Sequence, residues 1–464
     1  MKKRLLALTL SLLLVLVFMP ATTALASEQV IIVTVDGVPV EFDDQEPVIV
    51  DGRTLVPVRG VFEQMGFEVD WDEDAWTAIL TRDDDEVRII IDTDIFTTND
   101  VEHTLDVPAQ LIGSRTMIPL RAVLESVGYY LEWWTDGETD FVVVGSAPVL
   151  PIDGMYFSSA LDTVDLSNRD ITDLTEIAEA LLQMPNLISL NLGSNQISDL
   201  TPIAGLTNLT VLSFGGFGGN LITDLSPLAE MTNMTSLALT NNQITDLTPL
   251  AGMTYLASLG LGGNQVTDMS PLAELSNLRY LWLWGNQISE LPPLGGMTSL
   301  VNLDLSENPI SDVSPVAALT GLTHLSLSST EFYDFSMFAE FPGLEMLGVT
   351  FSEICDEQLA ELVDAIVELP YLTELALWVN EISDLEPLTR LTNLTTLWLS
   401  ENLLTDISPL AEMINLTVLG FSSNEVTDIS PLSELINLTM VFAGGNPITD
   451  WSPVDHVDFV DGRP

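Results

Sequence analysis

From about residue 158 to residue 455, leucines recur at the same spacing in segment after segment. The pattern is plain in Leu278-x-x-Leu281-x-Leu283-x-x-Asn286-x-Ile288, and the step between asparagine-type positions is mostly 22 residues. The asparagine-type positions of the 13 units are Arg169, Asn195, Asn220, Asn242, Asn264, Asn286, Asn308, Thr330, Ser352, Asn380, Asn402, Asn424 and Asn446. A unit this short has too little apolar surface to fold alone and buries its leucines only against its neighbours. The pattern therefore predicts a solenoid of about 13 stacked units.

Each unit divides into a strand, a turn and a short helical segment. Residues such as Leu303-Asp304-Leu305 alternate between inward and outward positions, as a half-buried strand does. The asparagine that follows can satisfy backbone groups of the adjacent unit. Ser-Pro or Thr-Pro comes next, as in Ser270-Pro271, and predicts a helix N-cap followed by proline in the first turn. We expect an α/β solenoid with a concave parallel sheet and short helical turns on the outer face.

These motifs resemble leucine-rich repeats, and the D-L-[ST]-P-L-x-x-L ending of the units resembles the internalin-type bacterial repeats in particular. The resemblance implies adhesion or scaffolding, and it names no target. The period is interrupted by a glycine-rich insertion at 215–219, which predicts a protruding loop. The step of 28 residues from Ser352 to Asn380 holds a helical apolar pattern from Asp356 to Leu369, and a similar extension is expected at 175–184.

Residues 27–145 contain a different repeat, in which G-R-T-L-V-P-V-R at 52–59 recurs 62 residues later as S-R-T-M-I-P-L-R at 114–121. Further matching pairs are Glu63 with Glu125, Gly66 with Gly128, and Trp71 with Trp133. Each half predicts a β segment, a helix that opens after the proline, a glycine stop and a strand that ends in tryptophan. The pattern indicates a small α+β pseudo-duplicated domain.

The same residues resemble the copper amine oxidase N-terminal (stalk) domain family. The resemblance is to an accessory domain, whereas a copper oxidase centre needs clustered histidines. His103, His324 and His456 are scattered along the chain. We therefore expect no catalysis here, and we expect Arg53, Arg59, Arg115 and Arg121 to pair with the domain's own carboxylates.

The ends of the chain and the junction between the repeats complete the domain organisation. Residues 1–26 combine a basic head, an apolar run and Ala24-Leu25-Ala26, which is typical of a secretory signal peptide. An uncleaved membrane anchor is the alternative, but the apolar run is shorter than the roughly 20 residues that a span needs. We expect a linker at 146–157, the repeat domain at 158–455 and a tail at 456–464. The protein is thus expected to be bacterial and extracellular, either secreted or non-covalently associated with the cell surface.

Composition narrows the range of partners. Removing 1–26 leaves ten arginines and no lysine against 68 acidic residues, a net charge of −58. Nucleic acid and anionic lipid need a basic footprint, so neither is an expected partner. The single cysteine, Cys355, excludes an internal disulfide. Neither a catalytic motif nor a metal or cofactor motif is present in the sequence. The strong self-repulsion of so many acidic side chains favours a protein adapted to salt.

An acidic residue stands four positions after each asparagine-type position. These acids are Asp173, Asp199, Asp224, Asp246, Asp268, Glu290, Asp312, Asp334, Asp356, Asp384, Asp406, Asp428 and Asp450. Stacking of the units places them in a column, where adjacent charges repel by about 1 kcal/mol even in water. Either each carboxylate accepts backbone N–H groups at its turn, or the column binds cations.

Outward positions of the predicted strands are mostly small or polar, and large aromatic residues interrupt that rule at two groups of units. The candidate ligand-binding residues are Tyr280, Trp282, Trp284, Asp304, His324, Glu374, Trp378, Trp398 and Phe442. Exposed aromatic side chains often anchor interaction surfaces. The alternative is that neighbouring side chains or the curvature of the sheet shelter these rings.

Three functions are compatible with these features. The favoured one is an exported, non-enzymatic surface protein whose concave face binds another macromolecule, most simply a protein, for adhesion or scaffolding. The alternative is a cell-wall or polysaccharide-binding protein in which the concave-face tryptophans stack on sugar rings. An enzyme is the least favoured function, because closely spaced acids are little evidence for general acid–base catalysis in so acidic a chain.

Overall fold

The computed structural model describes residues 30–50, 52–330, 332 and 334–463. The expected signal peptide at 1–26 lies outside the described residues. The chain divides between Val144 and Gly145 into two compact units. No helix among the described residues is both long enough and apolar enough to cross a membrane.

The first unit is rich in strands. Its strands are β1 (Val30–Val35), β2 (Val38–Pro39), β3 (Val48–Val50), β4 (Arg53–Pro57), β5 (Glu68–Asp72), β6 (Thr77–Arg82), β7 (Asp85–Ile90), β8 (Ile95–Thr98), β9 (Val101–Thr104), β10 (Gln110–Ile112), β11 (Arg115–Ile118), β12 (Tyr130–Thr135) and β13 (Thr139–Gly145). Its helices are α1 (Val58–Gln64) and α2 (Leu120–Ser126). Each helix begins after a proline and is followed by a glycine with positive φ, Gly66 at 84° and Gly128 at 80°. The helix, its proline start and its glycine stop are as the sequence predicts in both halves.

The internal repeat produces an approximate two-fold symmetry. The hairpins β3–β4 and β10–β11 join through β4 and β11 into one sheet with the order β10-β11-β4-β3. Val56 pairs with Ile118, its own equivalent in the 62-residue repeat, so the antiparallel sheet is symmetric about this pair. Phe62 of α1 and Leu124 of α2 are fully buried in the shared core. The expected pseudo-duplicated domain is therefore confirmed.

The second unit is the repeat solenoid. Its strands are β14 (Val149–Ile152), β15 (Met155–Ser158), β16 (Thr163–Asp165), β17 (Ser189–Asn191), β18 (Val211–Ser213), β19 (Ser236–Ala238), β20 (Ser258–Gly260), β21 (Tyr280–Trp282), β22 (Asn302–Asp304), β23 (His324–Ser326), β24 (Met346–Gly348), β25 (Glu374–Ala376), β26 (Thr396–Trp398), β27 (Val418–Gly420), β28 (Met440–Phe442) and β29 (Phe459–Asp461). Within the described residues, β16 to β29 form a parallel sheet of 14 strands in sequence order. Leucines at the centre of these strands form one continuous buried spine, as expected.

The outer face is built from short helices. The 3-10 helices are Thr201–Ile203, Ser226–Leu228, Thr248–Leu250, Ser270–Leu272, Ser314–Ala318, Phe335–Glu340, Glu386–Arg390, Ser408–Glu412, Ser430–Glu434 and Ser452–Val454. Two α-helices stand in the same position in the described chain, α3 (Thr175–Leu181) and α4 (Asp356–Ile366), where the sequence predicts extensions. Cys355 is half-buried at the N-cap of α4.

Ser or Thr is not the N-cap of these helices, contrary to the expectation. In the unit at Thr201, the N-cap residue is Leu200 and no side chain bonds to the cap position. The carboxylate of Asp199 accepts the backbone N–H of Thr201 at 2.8 Å, so the acid two residues earlier satisfies the first free donor of the helix. The local bond geometry of an Asx turn accounts for the difference.

The asparagine ladder holds adjacent units together. Asn264 donates from Nδ2 to Leu261 O at 2.8 Å and to Leu239 O at 3.0 Å, and its Oδ1 accepts from Ile244 N at 3.0 Å. Buried asparagines repeat this pattern along the sheet. Thr330 departs from it, because its hydroxyl donates to Leu327 O within its own unit. The predicted inward role of asparagine is confirmed, and the ladder is weakest where the sequence substitutes it.

Two segments differ from the expected boundaries. Residues 146–157, expected to be a linker, contain β14 and most of β15, an antiparallel hairpin whose Ile152 is buried in the solenoid core. Part of the expected tail forms β29, which pairs in parallel with β28. A stack of repeats exposes apolar surface at both ends, and these two segments cover it.

Candidate functional site

The strand register arranges the candidate residues in rows across the concave sheet. Trp282, Asp304 and Trp398 lie in one row, in which Ser326, Gly348 and Ala376 separate the acid from the second tryptophan. Tyr280, His324 and Glu374 lie in a parallel row. Trp284 and Trp378 follow β21 and β25, four strands apart, which corresponds to roughly 19 Å of sheet. The sheet brings the candidates together as two aromatic groups with small residues between them.

A groove of about 370 Å³ lies between the two groups. Trp284 and Trp378 line it, together with Asp304. The other lining residues are mostly small: Ser306, Glu307, Ser326, Ser328, Ser329, Met346, Gly348, Thr350, Phe351 and Ala376. Small side chains keep the floor of the groove low, so the indole rings form its walls.

Two half-buried tryptophans of the face, Trp284 and Trp398, each rest above a glycine. A Cβ atom at Gly262 would lie 2.3 Å from Trp284 Cε2, and one at Gly420 would lie 2.5 Å from Trp398 Cε3. Trp398 is also held by a hydrogen bond from Nε1 to Glu374 Oε1 at 3.2 Å. The absence of a side chain at these two glycines therefore lets the rings lie against the sheet, which fixes their orientation.

The first aromatic group comprises Tyr280, Trp282 and Trp284. Tyr280 and Trp282 are stacked, with ring centroids 6.0 Å apart and planes 11° apart. The Arg279 guanidinium lies over the Tyr280 ring, 5.7 Å from its centroid. Tyr280 remains 38% exposed, so this group presents aromatic surface to solvent.

The second group includes two rings that sequence reasoning missed. Phe351 packs edge-on against Trp378 with centroids 4.8 Å apart, and Trp378 stays 39% exposed. Phe442 lies between Trp398 at 5.5 Å and Phe459 at 5.4 Å. Phe459 lies in the segment expected to be a tail, and Phe351 stands outside the regular strand positions. Neither could be recognised before the last strand and the irregular turn were known.

Asp304 and His324 contribute polar character. The Asp304 carboxylate accepts the backbone N–H of Ser306 at 3.0 Å, and burial raises its pKa above the usual 3.8. His324 is half-buried, and its Nδ1 lies 2.8 Å from the Thr323 hydroxyl. Asp304 faces the groove, whereas His324 lies outside its lining. The groove thus combines aromatic walls with two carboxylates, those of Asp304 and Glu307.

The acidic column lies on the other side of each unit and is satisfied by the protein itself. In 11 of the 13 positions, the carboxylate accepts the backbone N–H two residues later; these are Asp173, Asp199, Asp224, Asp246, Asp268, Asp312, Asp334, Asp384, Asp406, Asp428 and Asp450. Asp356 instead accepts from Ser383 and Asp384 of the next unit, and Glu290 follows neither pattern. Within the described ranges, no group of three or more His, Cys, Asp or Glu residues could hold a metal ion. The backbone interpretation is therefore confirmed for most of the column.

A curved parallel sheet with a ladder of buried asparagines and an open concave face defines a leucine-rich repeat protein. The family model of leucine-rich repeats matches residues 185–230, 207–252, 254–296 and 372–412. The family model described as the copper amine oxidase N-terminal domain matches residues 34–142. An internalin from Listeria monocytogenes is 30% identical, with a TM-score of 0.55, over 67% of this chain and 91% of that chain. The chain therefore belongs to the internalin-type leucine-rich repeat proteins and carries a copper amine oxidase N-terminal domain.

Two further solved structures resemble the chain less well. A leucine-rich repeat protein from Leptospira interrogans is 22% identical over 65% of this chain and 96% of its own, with a TM-score of 0.39. A second Listeria monocytogenes internalin, InlJ, is 21% identical over 65% of this chain and 72% of its own, with a TM-score of 0.40. No match was found among the curated proteins.

Proposed function

We propose that this is an exported, non-enzymatic bacterial surface protein that binds another protein through the concave face of its solenoid. The observation that carries the proposal is the groove between Trp284 and Trp378, whose walls are aromatic and whose other lining residues are mostly small and polar. Aromatic side chains are frequent anchors of protein interfaces because they bury a large area at a low cost in conformational entropy. Membership of the internalin-type proteins supports a binding role over catalysis.

The charge of the groove limits the partner. Asp304 and Glu307 line the groove, and Glu374 accepts a hydrogen bond from Trp398 in the second aromatic group. Cationic side chains are attracted both to carboxylates and to indole faces, which supports a partner that presents arginine or lysine. The strongly acidic remainder of the chain would steer such a partner towards the protein in dilute salt.

The proposal is tested by retention of surface proteins from the producing bacterium on the immobilised full chain. We expect the double substitution Trp284→Ala and Trp378→Ala to abolish retention, with the melting temperature little changed because neither ring belongs to the leucine spine. The matched control is Tyr255→Ala with Tyr371→Ala, two exposed tyrosines outside the sheet strands.

Retention that survives the double tryptophan substitution would reject the concave groove as the binding site. A glycan array distinguishes the alternative function, because a polysaccharide-binding role for the concave-face tryptophans requires glycan binding that the same double substitution removes. Binding to proteins alone would favour the proposed function.

A further inference from the structure

The first unit carries two clefts of nearly equal size, about 550 Å³ and about 530 Å³. Many residues that line one cleft are the 62-residue equivalents of residues that line the other. The symmetric sheet explains the similarity, because its two-fold relation exchanges the hairpin β3–β4 with β10–β11. The two clefts are therefore two copies of one structural feature.

The first cleft is formed by both halves of the repeat. Arg59 of α1 and Trp71 of β5 come from the first half, whereas Leu111 of β10 and Arg115 of β11 come from the second. Neither half alone contains this set of side chains. The cleft therefore depends on the association of the two halves.

The second cleft has the same composition with the halves exchanged. Arg121 of α2 and Trp133 of β12 come from the second half, and Ile49 of β3 and Arg53 of β4 come from the first. The two clefts consequently share, at equivalent positions, a tryptophan, two arginines and an exposed branched aliphatic residue. The hairpin supplies one arginine and the helix the other.

The apolar residues of the clefts are on the surface. Trp71, Trp133, Ile49 and Leu111 are all exposed, and none belongs to the hydrophobic core of the unit. Burial on folding therefore does not account for large apolar side chains at equivalent positions in both clefts. Exposed aromatic surface in a concave setting is typical of ligand contact.

The first cleft has a second tryptophan. Trp76 also lines it, is 55% exposed, and packs edge-on against Trp71 with ring centroids 6.3 Å apart. Its φ of 51° lies in the left-handed region, which is unusual for a bulky residue. The turn thus holds this indole over the cleft at a backbone position where a smaller residue would be less strained.

The arginines are already neutralised, as the sequence predicts. Arg115 binds Asp44 through Nε at 2.7 Å and Nη2 at 2.8 Å, and the equivalent Arg53 lies 3.5 Å from Asp106. Arg59 and Arg121 likewise lie near Glu63 and near Glu125 and Glu132, respectively. Such pairs present hydrogen-bond donors and acceptors with little net charge. This chemistry suits hydroxyl groups better than a carboxylate or a phosphate.

We propose that each cleft binds a sugar unit of a neutral polysaccharide, with the sugar ring stacked on Trp71 or Trp133 and its hydroxyl groups bonded to the arginine–carboxylate pairs. Two equivalent clefts need two equivalent ligand units, which a repeating polymer supplies and a single protein partner does not. Engagement of both clefts makes the second contact intramolecular, so the pair binds far more tightly than either cleft alone. This site is separate from the concave groove and does not depend on its function.

The test measures retention of the full chain on chitin, on cellulose and on curdlan, three insoluble neutral polysaccharides, with polygalacturonate as the anionic comparison. We expect retention on at least one of the first three polymers. Trp133→Ala, and separately Trp71→Ala with Trp76→Ala, should each weaken binding by about 100-fold as bivalency is lost. All three substitutions together should abolish it. Retention on none of the first three polymers, stronger binding to polygalacturonate, or undiminished binding of the triple variant would overturn the proposal.

Two control variants separate ligand contact from folding. Trp133→Phe keeps an aromatic ring in the cleft and should retain most of the binding. Tyr130→Ala removes an exposed aromatic residue from the same strand. Because side chains alternate along a strand, Tyr130 and Trp133 lie on opposite faces of β12, and this variant should bind as the wild type does. Equal loss in Trp133→Phe and Trp133→Ala, or loss in Tyr130→Ala, would overturn the assignment of stacking to this cleft.

Discussion

Replacement of Asn264 by alanine tests the asparagine ladder that holds the concave sheet in place. The Oδ1 atom of Asn264 accepts the buried N–H of Ile244, and Nδ2 donates to Leu239 O and Leu261 O. After substitution, each carbonyl keeps one side-chain donor, Asn242 for Leu239 and Asn286 for Leu261. The N–H of Ile244 loses the acceptor that Asn264 provides.

The magnitude follows from this difference. A buried donor without a partner costs about 1–3 kcal/mol, and the loss of one of two bonds at each carbonyl adds about 0.5 kcal/mol per carbonyl. We therefore expect the free energy of unfolding to fall by about 2–4 kcal/mol. The matched control is Asn277→Ala, since Asn277 is exposed and donates one bond, to Thr254 O at 2.8 Å. An exposed bond of this kind is worth about 0.5–1 kcal/mol.

Urea unfolding of wild type and both variants, followed by far-UV circular dichroism, measures the two effects side by side. The midpoint for Asn264→Ala should move to clearly lower urea than that for Asn277→Ala. If the two variants unfold within about 0.5 kcal/mol of each other, the ladder does not carry the stability assigned to it.

The remaining predictions concern charge and the seating of the groove. The Thr248 hydroxyl, and to a smaller extent the Thr248 backbone N–H, lower the pKa of Asp246 below 3.8 by hydrogen bonding to its carboxylate. The stability that these bonds contribute is present above the unfolded-state pKa of about 3.9 and is lost as the pH falls through the lower folded-state value. The difference in melting temperature between wild type and Asp246→Ala should accordingly be constant above about pH 5 and shrink below about pH 4, and a difference that grows towards acid pH would contradict the reasoning. The melting temperature of the whole protein should rise as NaCl increases from millimolar to molar, because screening weakens the self-repulsion of the acidic chain, and a flat or falling curve would remove the idea of salt adaptation. Gly262→Ala would place a methyl group 2.3 Å from the Trp284 ring, so the indole N–H signal of Trp284 in an NMR spectrum should shift, and an unchanged signal would show that the ring does not rest there.

Local pattern was enough to predict most of the solenoid. The spacing of leucines and asparagines repeats within each unit, and contacts between identical units follow from stacking at a fixed period. The rows of candidate residues could be predicted for the same reason, since alternation along a strand assigns each side chain to one face. Trp284 and Trp378 could therefore be placed on the concave sheet from their positions relative to the leucines.

The ends of the stack were not predicted, because they do not repeat. The hairpin at Val149–Ser158 and the strand at Phe459–Asp461 have no counterpart elsewhere in the period, and they are defined by the apolar surface that they cover. At the helix starts the sequence indicated two candidate groups, the Asp199 carboxylate and Thr201, and the local turn geometry gives the role to Asp199. Composition and spacing allow either residue to take that role.

Periodicity alone determined the solenoid, the duplicated first unit and the face on which the tryptophans stand, because each is a property of neighbouring residues in a repeating chain. Tertiary packing decided which side chains meet: Phe351 against Trp378, Phe459 against Phe442, and Trp71 beside a hairpin from the other half of its domain. Such contacts join residues that are remote or irregular in sequence, and their distances depend on how strands and turns pack in three dimensions.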